Sequence, residues 1–159
     1  MERAIELSID SVKSGGGPFG SVIVKDNKII SEGMNRVTKN NDPTAHGEIV
    51  AIRNACKNLN DFSLKGCELY TSCEPCPMCL SAIYWSRIDK IYYANTRDDA
   101  KKIDFDDSLI YSELTKKIKE RKIPTTQLMR DEALQGFKLW KKTENLILNI
   151  INLISIREQ

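Results

Sequence analysis

Tyr70-Thr71-Ser72-Cys73-Glu74-Pro75-Cys76-Pro77-Met78-Cys79 runs from a predicted strand, Cys67 to Thr71, into a predicted helix, Cys76 to Trp85. Cys76 and Cys79, three apart, share one face of that helix and can grip a single ion. The start of a helix also favours thiolate over thiol. Thirty residues upstream of Cys76, Thr44-Ala45-His46-Gly47-Glu48 supplies an imidazole and a carboxylate. Two residues apart, His46 and Glu48 point away from each other inside a regular helix, so they serve one site only if a helix is just beginning there. Asn41, Asp42 and Thr44 offer the turn and cap chemistry for such a beginning. Helix, strand and helix in succession, with ligand-type residues at the junctions, make the core of the chain α/β.

Working outward, Ile5, Ile9 and Val12 recur at helical spacing, and Gly15-Gly16-Gly17-Pro18 ends that helix. Two β-branched runs, Phe19–Lys25 and Lys28–Ser31, flank Asp26-Asn27 and predict a hairpin. From Ala45 the positions Ile49, Ile52, Ala55 and Leu59 are helical again. Downstream, Lys90–Ala94 is a strand candidate, Asp107–Lys119 has helical spacing, and Pro124–Met129 reads as a last strand. A connection that carries a helix suits a parallel crossover, whereas a short loop favours an antiparallel pair. The order αββαβαβαβα predicts a three-layer α/β/α sandwich around a five-stranded mixed sheet, in one domain spanning 1–159.

With 41% hydrophobic and 29% charged residues in 159, the chain can build a real core, and disorder is not expected. A net charge of +2 is far from the basic stripe of a dedicated nucleic-acid binder. The run Lys116, Lys117, Lys119, Arg121, Lys122 could track phosphates but reads more simply as a solvated helix face, so nucleic acid is not an expected partner. The start Met1-Glu2-Arg3-Ala4 lacks the order of a secretory signal, and the longest apolar run, Leu146–Ile156, is too short to span a bilayer. The expected compartment is the cytoplasm, with no membrane, and clustered thiols there suit metal binding or catalysis better than disulfides.

His46, Cys76 and Cys79 are borderline-soft ligands at zinc-site spacing. Three protein ligands leave one zinc per chain an open position for water, and Glu48 is then placed to act as the proton carrier. A second arrangement is open to the same residues: Cys73 could complete a closed, structural Cys3His site with His46, Cys76 and Cys79. A Glu48 beside a closed site would have no task.

His-x-Glu followed by Pro-Cys-x-x-Cys is the signature of the zinc base deaminases. Within that superfamily, Gly17-Pro18-Phe19-Gly20, Asn40-Asn41-Asp42-Pro43-Thr44-Ala45-His46, Tyr70–Cys79, Ile83-Tyr84-Trp85 and Phe105-Asp106-Asp107-Ser108 closely resemble the bacterial guanine deaminases. The resemblance implies a cytidine deaminase-like fold, a small purine base as substrate, and hydrolysis of guanine to xanthine and ammonia. It also implies that Asn35, Phe19, Ala45, Trp85 and Asp107 bind the purine. An amide such as Asn35 offers donor and acceptor, and a carboxylate such as Asp107 accepts an N–H. On the residues alone, Asn35 ends a strand, Asp107 caps a helix, and Phe19 and Trp85 pack core. A tRNA-specific adenosine deaminase would share the zinc motifs but must admit a flipped base, so it stands as the enzymatic alternative. The non-enzymatic one is the structural zinc module.

Two features depart from the family pattern. Gly47 stands where relatives more often carry alanine. After Trp140 the chain has no aromatic residue, whereas relatives close the site with one near the C-terminus. Leu146–Ile156, with a narrow stripe of Asn145, Asn149 and Asn152, either folds on its own core or packs on a partner. Related enzymes form dimers, which makes a homodimer, with the segment from about 131 to 159 packed on or exchanged with the partner, the expected assembly.

Overall fold

Asp26 and Asn27 both take left-handed backbone, with φ of 49° and 59°. A two-residue hairpin turn needs that sign at both positions, and Asn and Asp tolerate it well. The turn joins β1 (Gly20–Lys25) to β2 (Lys28–Met34) in antiparallel register, closing on the pair Lys25–Lys28. In this computed structural model, which describes residues 1–143, β1 also pairs antiparallel with β3 (Cys67–Cys73). β3 in turn pairs parallel with β4 (Lys90–Asn95), giving the order β2-β1-β3-β4. The parallel step is bridged by α4 (Pro77–Ser86), the crossover that such a pairing requires.

Successive residues of β1 face opposite sides of the sheet. Val22 packs with Ala4 and Leu7 of α1 (Glu2–Lys13). Its neighbour Ile23 packs with Ala51 and Ala55 of α3 (Gly47–Leu59) and with Ile83 of α4. The sheet is thus sandwiched between helical layers, as expected. α1 has the predicted period but turns a different face inward: Ala4, Leu7 and Ser11 are buried, and Ile5, Ile9 and Val12 are exposed. The reason lies at Gly20, where a Cβ would collide with the Ala4 carbonyl and the Leu7 side chain, so only a small-residue face can lie that close. Gly33 has the same role on the other side: a Cβ there would collide with the Gly47 carbonyl and the Ala51 amide of α3.

Three short helices complete the first part of the chain: α2 (Val37–Asn40), α5 (Arg97–Lys101) and α6 (Ser108–Thr115). The helix expected over Asp107–Lys119 therefore stops at Thr115, and a 3-10 turn covers Ile118–Glu120. The fifth strand is not formed. Pro124–Met129 has no strand pairing among the described residues, and the sheet has four strands. Pro124 lacks an N–H donor, Met129 is left-handed, and Leu128 and Met129 are exposed, so the segment presents neither a ladder nor a buried face.

The chain divides into two compact units, Met1–Thr115 and a second that begins at Lys116. The second contains α7 (Arg130–Lys142), on which Phe137 and Leu139 are exposed. The apolar run Leu146–Ile156 lies outside the described residues. Among the described residues no helix is long and apolar enough to cross a membrane.

Candidate active site

α3 begins at Gly47, so His46 is its N-cap, in extended backbone with φ −67° and ψ 158°. Glu48 lies in the first turn. This is the local break that the His-x-Glu spacing demands. Cys76 caps α4 in the same way, with φ −64° and ψ 168°, and Pro77 pre-sets the first helical residue. Cys79 follows within the first turn, fully buried. The two caps face each other: His46 Nδ1 lies 3.6 Å from Cys76 Sγ and 3.5 Å from Cys79 Sγ. One ligand atom from each of the three residues falls within 4.8 Å of the others, which makes them a group able to hold one metal ion.

The donor set fits zinc. One imidazole and two thiols are its ordinary partners, and Cys76 is held in the form that binds metal. A hydrogen bond from Cys79, together with His46, holds the Cys76 thiol down at about 4, so it stands as thiolate. The same hydrogen bond, with burial, pushes Cys79 up. Hydrogen bonding to Cys76 raises His46 against its own burial. Cys73 takes no part in the group: its Sγ donates to the Thr96 carbonyl at 3.6 Å, and burial raises it to about 11.

Glu48 is 5% exposed. One carboxylate oxygen accepts from Cys79 at 3.4 Å and the other from Thr71 Oγ1, also at 3.4 Å. Burial raises its pKa, so this carboxyl holds a proton more readily than one in water.

The pair of caps opens on a cavity of about 420 Å³. His46, Glu48 and Cys76 line it, with Phe19, Asn35 and Asp107 among the other walls. Asn35 is buried, and its Oδ1 accepts the backbone N–H of Gly17 at 3.4 Å and of Val37 at 3.2 Å. That commitment leaves its NH2 as the group to offer a ligand, so Asn35 is a donor rather than the two-way reader its residue type allows. Phe19 meets Phe105 edge-on at 4.9 Å and 84°. Asp107 is half-buried, and desolvation raises its pKa.

Two expected substrate contacts lie elsewhere. Ala45 is buried off the cavity, its carbonyl accepting from Arg36 N–H at 2.9 Å. Trp85, in the last turn of α4, is 78% exposed and is not part of the cavity wall. Conversely, Glu74, Arg97 and Phe105 line the cavity without having been singled out. Phe105 belongs to the Phe-Asp-Asp-Ser motif and was within reach of the sequence. Arg97 carries no motif, beyond the helix-cap signal of Thr96 and Asp99 around it.

Comparison with known proteins agrees with this geometry. Residues 1–95 match the family model for the cytidine and deoxycytidylate deaminase zinc-binding region. The guanine deaminase of Bacillus subtilis (strain 168) is 53% identical over 146 residues, 91% of this chain and 94% of that one. The X-ray structure of guanine deaminase from Bacillus subtilis superposes with a TM-score of 0.86 at 54% identity, over 89% of this chain and 90% of that one. A tRNA-specific adenosine deaminase of Aquifex aeolicus (strain VF5) is 48% identical over 94 residues, which is 59% of this chain and 62% of that one.

Proposed function

We infer, for a chain that belongs to the cytidine and deoxycytidylate deaminase zinc-binding family, that it is a guanine deaminase, hydrolysing guanine to xanthine and ammonia with one zinc per chain. The observation that carries this reading is the three-ligand group of His46, Cys76 and Cys79 beside the buried Glu48, opening on a cavity with room for a purine. The guanine deaminase is 53% identical over 91% of the chain, whereas a tRNA-specific adenosine deaminase that matches over 84% of it is 34% identical.

His46, Cys76 and Cys79 would hold the zinc, which when bound would act as a Lewis acid and lower the pKa of water to about 7. Glu48 takes one proton from the water as its oxygen bonds to C2 and passes that proton to a ring nitrogen; it then takes the second proton, from the hydroxyl now on C2, and delivers it to the exocyclic amine, so that the C2–N bond breaks, ammonia leaves and C2 keeps the oxygen as the carbonyl of xanthine. The Asn35 amide group donates to an acceptor on the purine, and Asp107, when ionised, accepts a ring N–H. Phe19 supplies an apolar wall, stiffened by its edge contact with Phe105. Burial around Glu48 excludes bulk water from the proton path.

The assay that tests this is ammonia release from guanine, guanosine, adenine, cytosine and an anticodon stem-loop, run side by side. Release from guanine alone is expected, and none from guanine overturns the assignment. Glu48→Ala is expected to keep its zinc and lose ammonia release; retained turnover would return Glu48 to a structural role. We further propose that the enzyme is a cytoplasmic homodimer. Exposed Tyr84 and Trp85 on α4 and Phe137 and Leu139 on α7 support self-association. Sedimentation of the full chain and of the chain truncated after Lys142 checks this: a full-length monomer refutes the dimer, and a dimeric truncation refutes an exchanged tail.

A further inference from the structure

Asp107 stands at the head of α6, yet no residue of that helix is buried and no strand holds it. Side chains therefore share in setting its position, through three contacts. Phe105 meets Phe19. Lys101 Nζ pairs with Asp106 at 3.0 Å. The Arg97 guanidinium lies 4.8 Å above the ring of Tyr111. The first two secure the approach to α6, and the third reaches the helix itself. Tyr111 is one turn beyond Asp107 and donates its backbone N–H to the Asp107 carbonyl at 3.3 Å. A cation seated on Tyr111 therefore bears on the very turn that presents Asp107.

Arg97 is anchored in its own right. Its backbone N–H donates to the Glu74 carboxylate at 3.1 Å, and the Glu74 N–H donates to the Asn95 carbonyl at 2.8 Å. Thr96 and Asp99 form a reciprocal cap around it. Arg97 and Asp107 line the same cavity. Burial, with the negative Cys76 next, disfavours the ionised Asp107, and the charge of Arg97 opposes both.

We propose that Arg97 is a positioning residue for the purine: anchored through Glu74 and seated on Tyr111, it holds the first turn of α6 so that Asp107 faces the ligand. This rests on the guanine deaminase reading above. Arg97 acts through Asp107 and takes no part in the proton transfers assigned to Glu48.

The test is steady-state kinetics on guanine for Arg97→Ala, Arg97→Lys, Asp107→Asn and the double variant Arg97→Ala/Asp107→Asn, each with its zinc content measured. Arg97→Ala is expected to raise KM about tenfold while kcat stays within about threefold and zinc is retained. Arg97→Lys restores most of the loss, since an ammonium also sits over an aromatic ring. In the Asp107→Asn background, Arg97→Ala changes KM by less than about twofold, because the group it positions is already altered. Amide exchange in residues 107–111 should quicken in Arg97→Ala. An unchanged KM, or the same factor in both backgrounds, overturns the proposal. Wild-type protein that releases no ammonia from guanine refutes the functional reading instead, and unaltered exchange at 107–111 would then still refute the positioning role.

Discussion

Replacing Gly33 by alanine should loosen the site without altering any group in it. The added Cβ would stand inside 3.0 Å of the Gly47 carbonyl oxygen and the Ala51 nitrogen, and at 3.0 Å from Ala51 Cα. These are backbone atoms of α3 and cannot swing aside. Ordinary contact begins near 3.4 Å and the Gly47 oxygen is the nearest of the three atoms, so α3 must retreat by about 1 Å. Overpacking of this kind destabilises by about 1–3 kcal/mol. In a chain of this length each kcal/mol moves Tm by about 2–4 °C, giving a fall of about 2–12 °C. α3 also carries Glu48 and is headed by His46, and a misplacement of about 1 Å can lower turnover about a hundredfold, so a fall in kcat/KM of up to about a hundredfold is expected. Thermal unfolding of the zinc-loaded protein and kcat/KM on guanine read out both numbers. A Tm within about 1 °C of the parent, with kcat/KM unchanged, would show that β2 does not wedge α3 and that the close approach at Gly33 is incidental.

Gly47→Ala is the mild counterpart: its Cβ would lie 3.2 Å from the Phe19 carbonyl, so a helix-propensity gain of up to about 1 kcal/mol is partly offset by a small shift. Activity should be retained and Tm should rise by at most about 3 °C; a large loss of turnover would mean that Gly47 makes room for substrate. Cys73→Ser should keep one zinc per chain by metal analysis, because its thiol is spent on Thr96; loss of metal would bring back the Cys3His site. The hydrogen bond from Arg3 holds Glu32 below its usual 4.5, a folded value lower than the unfolded one. Its contribution is therefore present above 4.5 and lost as pH falls through the folded value. With the two side chains 40% and 38% exposed, that contribution is under about 1 kcal/mol. Glu32→Gln should lower Tm slightly at neutral pH and leave it unchanged in acid well below 4.5.

What could be read from the chain was whatever depended on short spacing. The Asp26-Asn27 turn, the helix starts at His46 and Cys76, and the Cys-x-x-Cys bite are all local, and each appears in place. Residues whose place depends on the far side of the fold were harder. The period of α1 was evident, but the choice of Ala4 and Leu7 over Ile5 and Ile9 rests on the backbone of Gly20 beneath it. Pro124–Met129 reads as a strand by its residues, yet a strand exists only where a ladder partner does. Trp85 occupies a helical position that reads as core or pocket, and the end of α4 turns it outward. Arg97 enters the cavity through its link to Glu74 across twenty-three positions of chain, a contact with no local signature.

His46 and Cys76 each stand one residue outside a helix, and this has a bearing on how the chain tolerates length changes. The metal-holding geometry is carried by two helix heads and the sheet beside them. The chain length between the two heads is set by the tail of α3 and the loop into β3, which turns at the left-handed Asn60 and runs past the exposed Phe62. Residues inserted there would lengthen the interval between the motif halves while leaving both heads where they are. By contrast, one residue added between His46 and Glu48, or between Cys76 and Cys79, rotates a ligand by about 100° around its helix and dismantles the site. The interval between the halves is therefore free to drift across insertions, while the spacing inside each half is rigid.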